Sequence, residues 1–99
     1  MEEIVIFGNG EIAELAHYYF SNDNNSKYTV VAFVVDDEYV TESNFKGLPL
    51  VPISKLTALY PPSIYKAHVS LSYNKLNQIR EEKFNLMKSM GYQLVSYIC

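Results

Sequence analysis

Tryptophan is absent from the sequence, and cysteine occurs once, as the last residue, Cys99. A lone thiol has no intramolecular partner, which excludes a disulfide framework and a cysteine-built metal centre; a reducing compartment, the cytoplasm, is the expected location. Basic charge is also scarce. Lys and Arg number 8 against 11 Asp and Glu, a net charge of -3, so no basic surface for nucleic acid is implied. No apolar run approaches the roughly 20 residues that a membrane span needs, and no basic segment precedes the first one as it would in an export signal. The chain is therefore expected to be soluble, with neither nucleic acid nor membrane as a partner.

Candidate reactive groups are equally few. The histidines, His17 and His68, fall in the middle of a predicted helix and in or beside a predicted strand, so neither is sited like a catalytic base. No H-x-x-x-H, C-x-x-C or D-x-D spacing offers a metal pocket. Asp36 and Asp37 are adjacent and diverge in an extended chain. The expectation is a chain with no catalytic residue and no metal ligand of its own.

What is present is a globular composition. At 99 residues and 48% hydrophobic content the sequence suffices for one compact domain, residues 1–99, and has no repeat or linker that would divide it. Tyrosines number 9 and phenylalanines 5. They read as amphipathic edge packing or as a stacking surface for a nucleobase.

The organising stretch is Ile4-Val5-Ile6-Phe7-Gly8-Asn9-Gly10-Glu11-Ile12-Ala13. An unalternating apolar run predicts a buried parallel strand, and it breaks into glycines one residue apart and then into a helical pattern. Gly8, Gly10 and Ala13 fit G-x-G-x-x-G/A. The first glycine permits a sharp turn, the second lets backbone approach a phosphate, and the small third residue lets the helix close on its strand. Because amides at a helix start lack intrahelical partners and carry partial positive charge, the turn after Phe7 is the natural seat for an anion.

The remaining elements follow by periodicity. Ile12, Leu15, Ala16, Tyr19 and Phe20 predict a helix face, ended by the polar run at 21–26. Tyr28 to Val35 predicts a second buried strand closing with Asp36-Asp37-Glu38, where an acidic residue either accepts a ribose hydroxyl or forms an acidic turn. Residues 39–48 read as an exposed excursion turning at Gly47. Leu48 to Pro52 predicts a short strand, and Ser54 a cap for a helix through Leu56 and Leu59 that Pro61-Pro62 stops. Ile64 to Leu71 predicts a third parallel strand, ending at Ser72-Tyr73-Asn74. From Lys75 a helix is expected with Leu76, Ile79, Phe84, Leu86, Met87 and Met90 apolar and Lys83 among its solvated charges. Gly91 stops it, and a last strand covers Leu94 to Ile98. The fold class is α/β: a three-layer, Rossmann-like domain on a small, mostly parallel sheet.

The Gly8 turn, Asp36-Asp37 and Ser72-Tyr73-Asn74 would emerge on one edge of such a sheet, supplying phosphate-facing amides, carboxylates and an aromatic ring, the makings of a nucleotide site. The opening segment, Val34-Val35-Asp36-Asp37, Gly47-Leu48-Pro49-Leu50-Val51, and Ser72 to Arg80 followed by Gly91-Tyr92 and Ser96-Tyr97-Ile98 together resemble the amino-terminal domain of the NeuD/PglD-like sugar acyltransferases. These are sialic acid O-acetyltransferases and UDP-amino-sugar N-acetyltransferases.

The resemblance implies a domain that holds a nucleotide-sugar, UDP-linked, for acetyl transfer in surface polysaccharide biosynthesis. It implies a following left-handed β-helix of hexapeptide repeats that binds acetyl-CoA, carries the catalytic histidine and makes the full-length enzyme a homotrimer. By the same resemblance Gly8, Asn9, Gly10 and Glu11 lie at the phosphates or sugar, Asp36 and Asp37 near the uridine, and Ser72, Tyr73 and Asn74 beside the sugar. No cofactor is then bound by this domain itself. No hexapeptide pattern occurs in these residues, so the chain is expected to be one domain of a longer enzyme, with a stand-alone module as the alternative. Departures from the family are Glu11-Ile12-Ala13 where Gly-His-Ala is usual, and Ser72 where glycine is usual. A carboxylate at Glu11 repels a phosphate unless it points away. The alternatives are a ligand-free regulatory or assembly module on the same fold and an NAD-binding domain.

Overall fold

A computed structural model describes residues 2–8, 11–22, 27–70 and 77–95, with the side chains of 11, 12, 22 and 77–80 outside the description. Five strands form one sheet in the order β3-β4-β2-β1-β5. β1 (Glu2–Phe7), β2 (Tyr28–Val35), β4 (Leu48–Pro52) and β5 (Lys66–Val69) run parallel, and the two-residue β3 (Asn44–Phe45) is antiparallel at the edge. The helices are α1 (Glu11–Asn22), α2 (Ile53–Leu59) and α3 (Asn77–Ser89). This is the Rossmann-like architecture expected from the sequence.

Both faces of the sheet are buried, which is why its central strands carry unbroken apolar runs. On one face Ile4, Ile6, Phe33 and Val35 pack with Ala13, Ala16 and Phe20 of α1. On the other, Val5, Phe7, Val34, Ala67 and Val69 pack with Leu56 of α2 and Met87 of α3. The β1–β2 register slips between Ile4 and Val5, whose partners are Val30 and Ala32. The extra residue, Val31, lies against the same cluster as Ala32, so a bulge sets two successive side chains on one face.

The buried stripe of α1 is Ala13, Ala16 and Phe20; Leu15, expected inward, is 45% exposed. The small residues let α1 lie close to the sheet, which moves the stripe one position around the helix. His17 packs edge-on to Phe33 with centroids 5.6 Å apart, and burial pulls its pKa below the ordinary value. On α3, Met87 is fully buried whereas Phe84 and Leu86, expected inward, are partly exposed, because the helix meets the sheet along a narrow line.

The excursion after β2 contains an unexpected hairpin. Lys46 (φ 52) and Gly47 (φ 81) form a two-residue turn between Phe45 and Leu48, both central residues having the positive φ that this tight hairpin requires. It returns Phe45 onto Phe33 at 4.9 Å, edge to face. Ser54 does not cap α2: Pro52 holds the cap position, and Ser54 lies inside the helix, with its amide donating to Asp37 Oδ1 at 3.1 Å. The cap is supplied from 17 residues away, which no local pattern shows.

Gly91 ends α3 as expected, with φ +102. Its amide donates to Lys88 O at 3.0 Å and that of Tyr92 to Met87 O at 3.2 Å, the paired bonds of a Schellman stop. The chain then lays Leu94 in a parallel bridge against Ala67, starting the final strand; residues 96–98 lie outside the described set.

Tyr92 is 2% exposed, and its hydroxyl donates to the Tyr60 carbonyl at 2.5 Å, closing the end of α2 with a ring from the end of α3. Burial pushes its phenol up to about 12 from an ordinary 10.0. Tyr92→Phe is expected to cost about 1–2 kcal/mol at neutral pH, since a half-buried carbonyl loses its donor. The unfolded chain releases this proton near pH 10 and the folded chain only near 12, so the native state binds more protons in that window and stability falls as pH rises through it. Urea titrations at neutral and alkaline pH should show that fall in the wild type and less of it in the phenylalanine variant.

Candidate functional site

β1, β2 and β4 are laid down in one direction, and the chain then crosses back to place β5 on the far side of β1. The carboxyl ends of β1 and β5 therefore flank the point where strand order reverses, the position at which open α/β sheets leave a crevice. The residue there is Gly8. Its amide donates to Val34 O at 2.8 Å, and the Ser70 amide donates to Phe7 O at 2.9 Å, so three strand ends are tied together around the turn.

Gly8 has φ +126, and a Cβ placed on it would sit 2.5 Å from the Ser70 carbonyl oxygen and 3.6 Å from the Ala13 Cβ. No side chain fits. The sequence expectation for this turn holds at both ends: glycine where backbone meets backbone, and a small residue where α1 closes on β1. α1 begins three residues later with its amino end toward the crevice. Of the other residues expected at the phosphates, Asn9, Gly10 and the side chain of Glu11 lie outside the described residues, as do Ser72, Tyr73 and Asn74.

Asp36 and Asp37 do stand at the carboxyl end of β2, and each carboxylate is engaged. Asp36 Oδ1 accepts from Lys83 Nζ at 2.9 Å, in an ion pair whose side chains are 28% and 20% exposed. Asp37 Oδ1 accepts from the Ser54 amide, and hydrogen bonds from Ser54 hold its carboxyl below the usual range. Lys83 Nζ also lies 5.6 Å from the centre of the Phe7 ring, the residue immediately before the glycine turn. A cation on α3 thus reaches over the end of β1 to the end of β2.

Lys83 is not on a solvated face, as its charged neighbours suggested. The signal was available: it precedes the buried Met87 by four residues and so shares its helix face. Ser70, on the opposite side of the chain from Val69, is only 5% exposed, and its one signal in the sequence is a polar residue at the end of an apolar strand.

Chemically, the edge brings together the amino end of α1, a half-buried carboxylate held by a lysine, and a buried hydroxyl. Among the described residues no three His, Cys, Asp or Glu side chains gather as a metal cluster, and no helix is long and apolar enough to cross a membrane. His68, in β5, is tied through Nδ1 to the Val95 carbonyl at 2.8 Å and packs on Phe20, away from the edge.

With this geometry in place, comparison with solved structures gives a match. The chain is similar in fold to the acetyltransferase domain of PglB from Neisseria gonorrhoeae FA1090. The TM-score is 0.68 over 94% of this chain, at 15% sequence identity. The chain spans 42% of the PglB structure's length. No protein-family model and no curated protein sequence matches it. The likeness to PglB fixes the architecture, and it agrees with the fold implied by the resemblance to sugar acyltransferases.

Proposed function

We propose that this chain is the substrate-holding domain of a sugar acetyltransferase, binding a nucleotide-linked sugar, UDP-linked, at the carboxyl edge of its sheet. The observation that carries this reading is the Gly8 turn at the strand-order reversal, where no Cβ fits and α1 opens toward the crevice. The fold likeness to PglB's acetyltransferase domain supports the acetyl-transfer context.

In this reading Gly8, Asn9 and Gly10 face the diphosphate, with Glu11 turned from it. Asp36 accepts from a ribose hydroxyl or the uracil imide while Lys83 fixes its orientation, and Asp37 supports the same strand end. Ser72, Tyr73 and Asn74, which follow β5 in the chain, border the sugar. The domain supplies no acid, base or nucleophile. Acetyl-CoA and the catalytic group belong to a carboxyl-terminal β-helix of a longer chain, a homotrimer working in the cytoplasm on precursors of surface polysaccharide.

A second reading, a regulatory or assembly module that keeps the fold without the ligand, is favoured by one observation: both carboxylates already hold protein partners. Isothermal titration with UDP, CDP, their sugars and NAD separates the readings. A phosphate-dependent heat with preference for UDP compounds is expected. Preference for NAD would make the site a redox cofactor's, and silence across the series would leave the module.

A further inference from the structure

At the strand-order reversal, the Ser70 side chain is 5% exposed, and among the described residues its Oγ has no hydrogen-bond partner. Buried hydroxyls are almost always paired, because leaving one unpaired costs free energy that folding does not recover. An orphan in the core of a sheet would be replaced by alanine without loss. This one is at the sheet's functional edge.

Its direction follows from strand alternation. Ala67 and Val69 pack into the cluster on the α2–α3 face, whereas His68 packs on Phe20 of α1's cluster. Ser70 continues the β5 ladder through its bond to Phe7 O, so its side chain falls on the His68 side, the α1 side. Its carbonyl and Ala13 of α1's first turn stand on either side of the space over Gly8, 2.5 and 3.6 Å from where a Cβ would be. The hydroxyl and the amino end of a 12-residue helix therefore lie at the same strand end, on the same side of the sheet. The helix end supplies unpartnered amides; the serine supplies an independent donor without a partner among the described residues.

We infer that Ser70 is a ligand-binding residue whose hydroxyl donates to a phosphoryl oxygen of a diphosphate seated on the first turn of α1. The inference rests on the nucleotide reading of the edge and adds a contact that the Gly-x-Gly pattern does not contain. A diphosphate on that turn would give the buried hydroxyl an acceptor.

Ser70→Ala and Ser70→Cys, each titrated with UDP and with inorganic pyrophosphate, test this against a purely structural role. Removing an unsatisfied hydroxyl should leave the melting temperature unchanged or higher, while affinity for both probes drops about tenfold or more, as for loss of a hydrogen bond to a charged group. Variants that melt clearly lower would show the hydroxyl to be a structural bond and overturn the inference. So would variants that bind both probes like the wild type, and that result would leave the nucleotide reading intact. If the wild type bound pyrophosphate as well as UDP and the variants lost both, the nucleotide preference would fail and Ser70's role would stand. A wild type that bound neither probe would overturn both.

Discussion

Gly8→Ala is expected to destabilise the fold by about 4 kcal/mol, from two effects that act together. A non-glycine residue held at φ +126 carries backbone strain of order 1–3 kcal/mol. The new methyl would also press on the Ser70 carbonyl oxygen at 2.5 Å, and since that atom is backbone in the sheet, β1 and β5 must part, for a further 1–3 kcal/mol or so. In a domain this size the melting temperature should fall by about 20 °C. The other positive-φ glycines provide the contrast. Gly47 has φ +81 with nothing within 4 Å of an added Cβ, so Gly47→Ala should show the strain alone, about 1 kcal/mol. Thermal melts of the two variants should differ widely; equal losses would mean that crowding at the strand-order reversal contributes nothing.

Asp36→Ala is expected to weaken UDP binding by about thirtyfold, the loss of a hydrogen bond to a charged acceptor. Lys83 enters through Asp36: it donates to Oδ1 at 2.9 Å and is braced over Phe7, so in the proposed reading it positions the carboxylate rather than touching the ligand. Lys83→Met should therefore cost less, a few-fold, and the double variant should bind no worse than Asp36→Ala alone, the non-additivity expected of residues acting as one unit. Titrations of the three variants close the cycle. Strictly additive losses would place the Lys83 ammonium on the phosphates directly and remove its positioning role.

Much of this architecture was legible in the sequence because it is written locally. The four parallel strands, α1, the α3 stop at Gly91 and the Gly8–Ala13 closure each follow from periodicity or from a residue's own conformational range. What was illegible is held by distant partners. Ser54 looked like a cap because serine often is one, yet Asp37 caps α2 across 17 residues. The β3–β4 hairpin was hidden because β3 has only two residues, and what secures it is Phe45 docking on Phe33. Lysine as a residue type points to solvent, whereas Lys83's position on Met87's face puts it beside Asp36. At the candidate site the sequence located the edge and its glycine, and the long-range pairing of Asp36, Asp37 and Ser70 with other elements came only from the fold.

The central claim is that the carboxyl edge around Gly8 is where a nucleotide diphosphate sits. Amide chemical-shift mapping by NMR during addition of UDP tests it most directly. Saturable shifts are expected at Gly8, Ala13, Asp36 and Ser70, with Glu2, Lys27 and Lys66 at the opposite edge unmoved. Shifts confined to that opposite edge, or a spectrum indifferent to UDP, would contradict it.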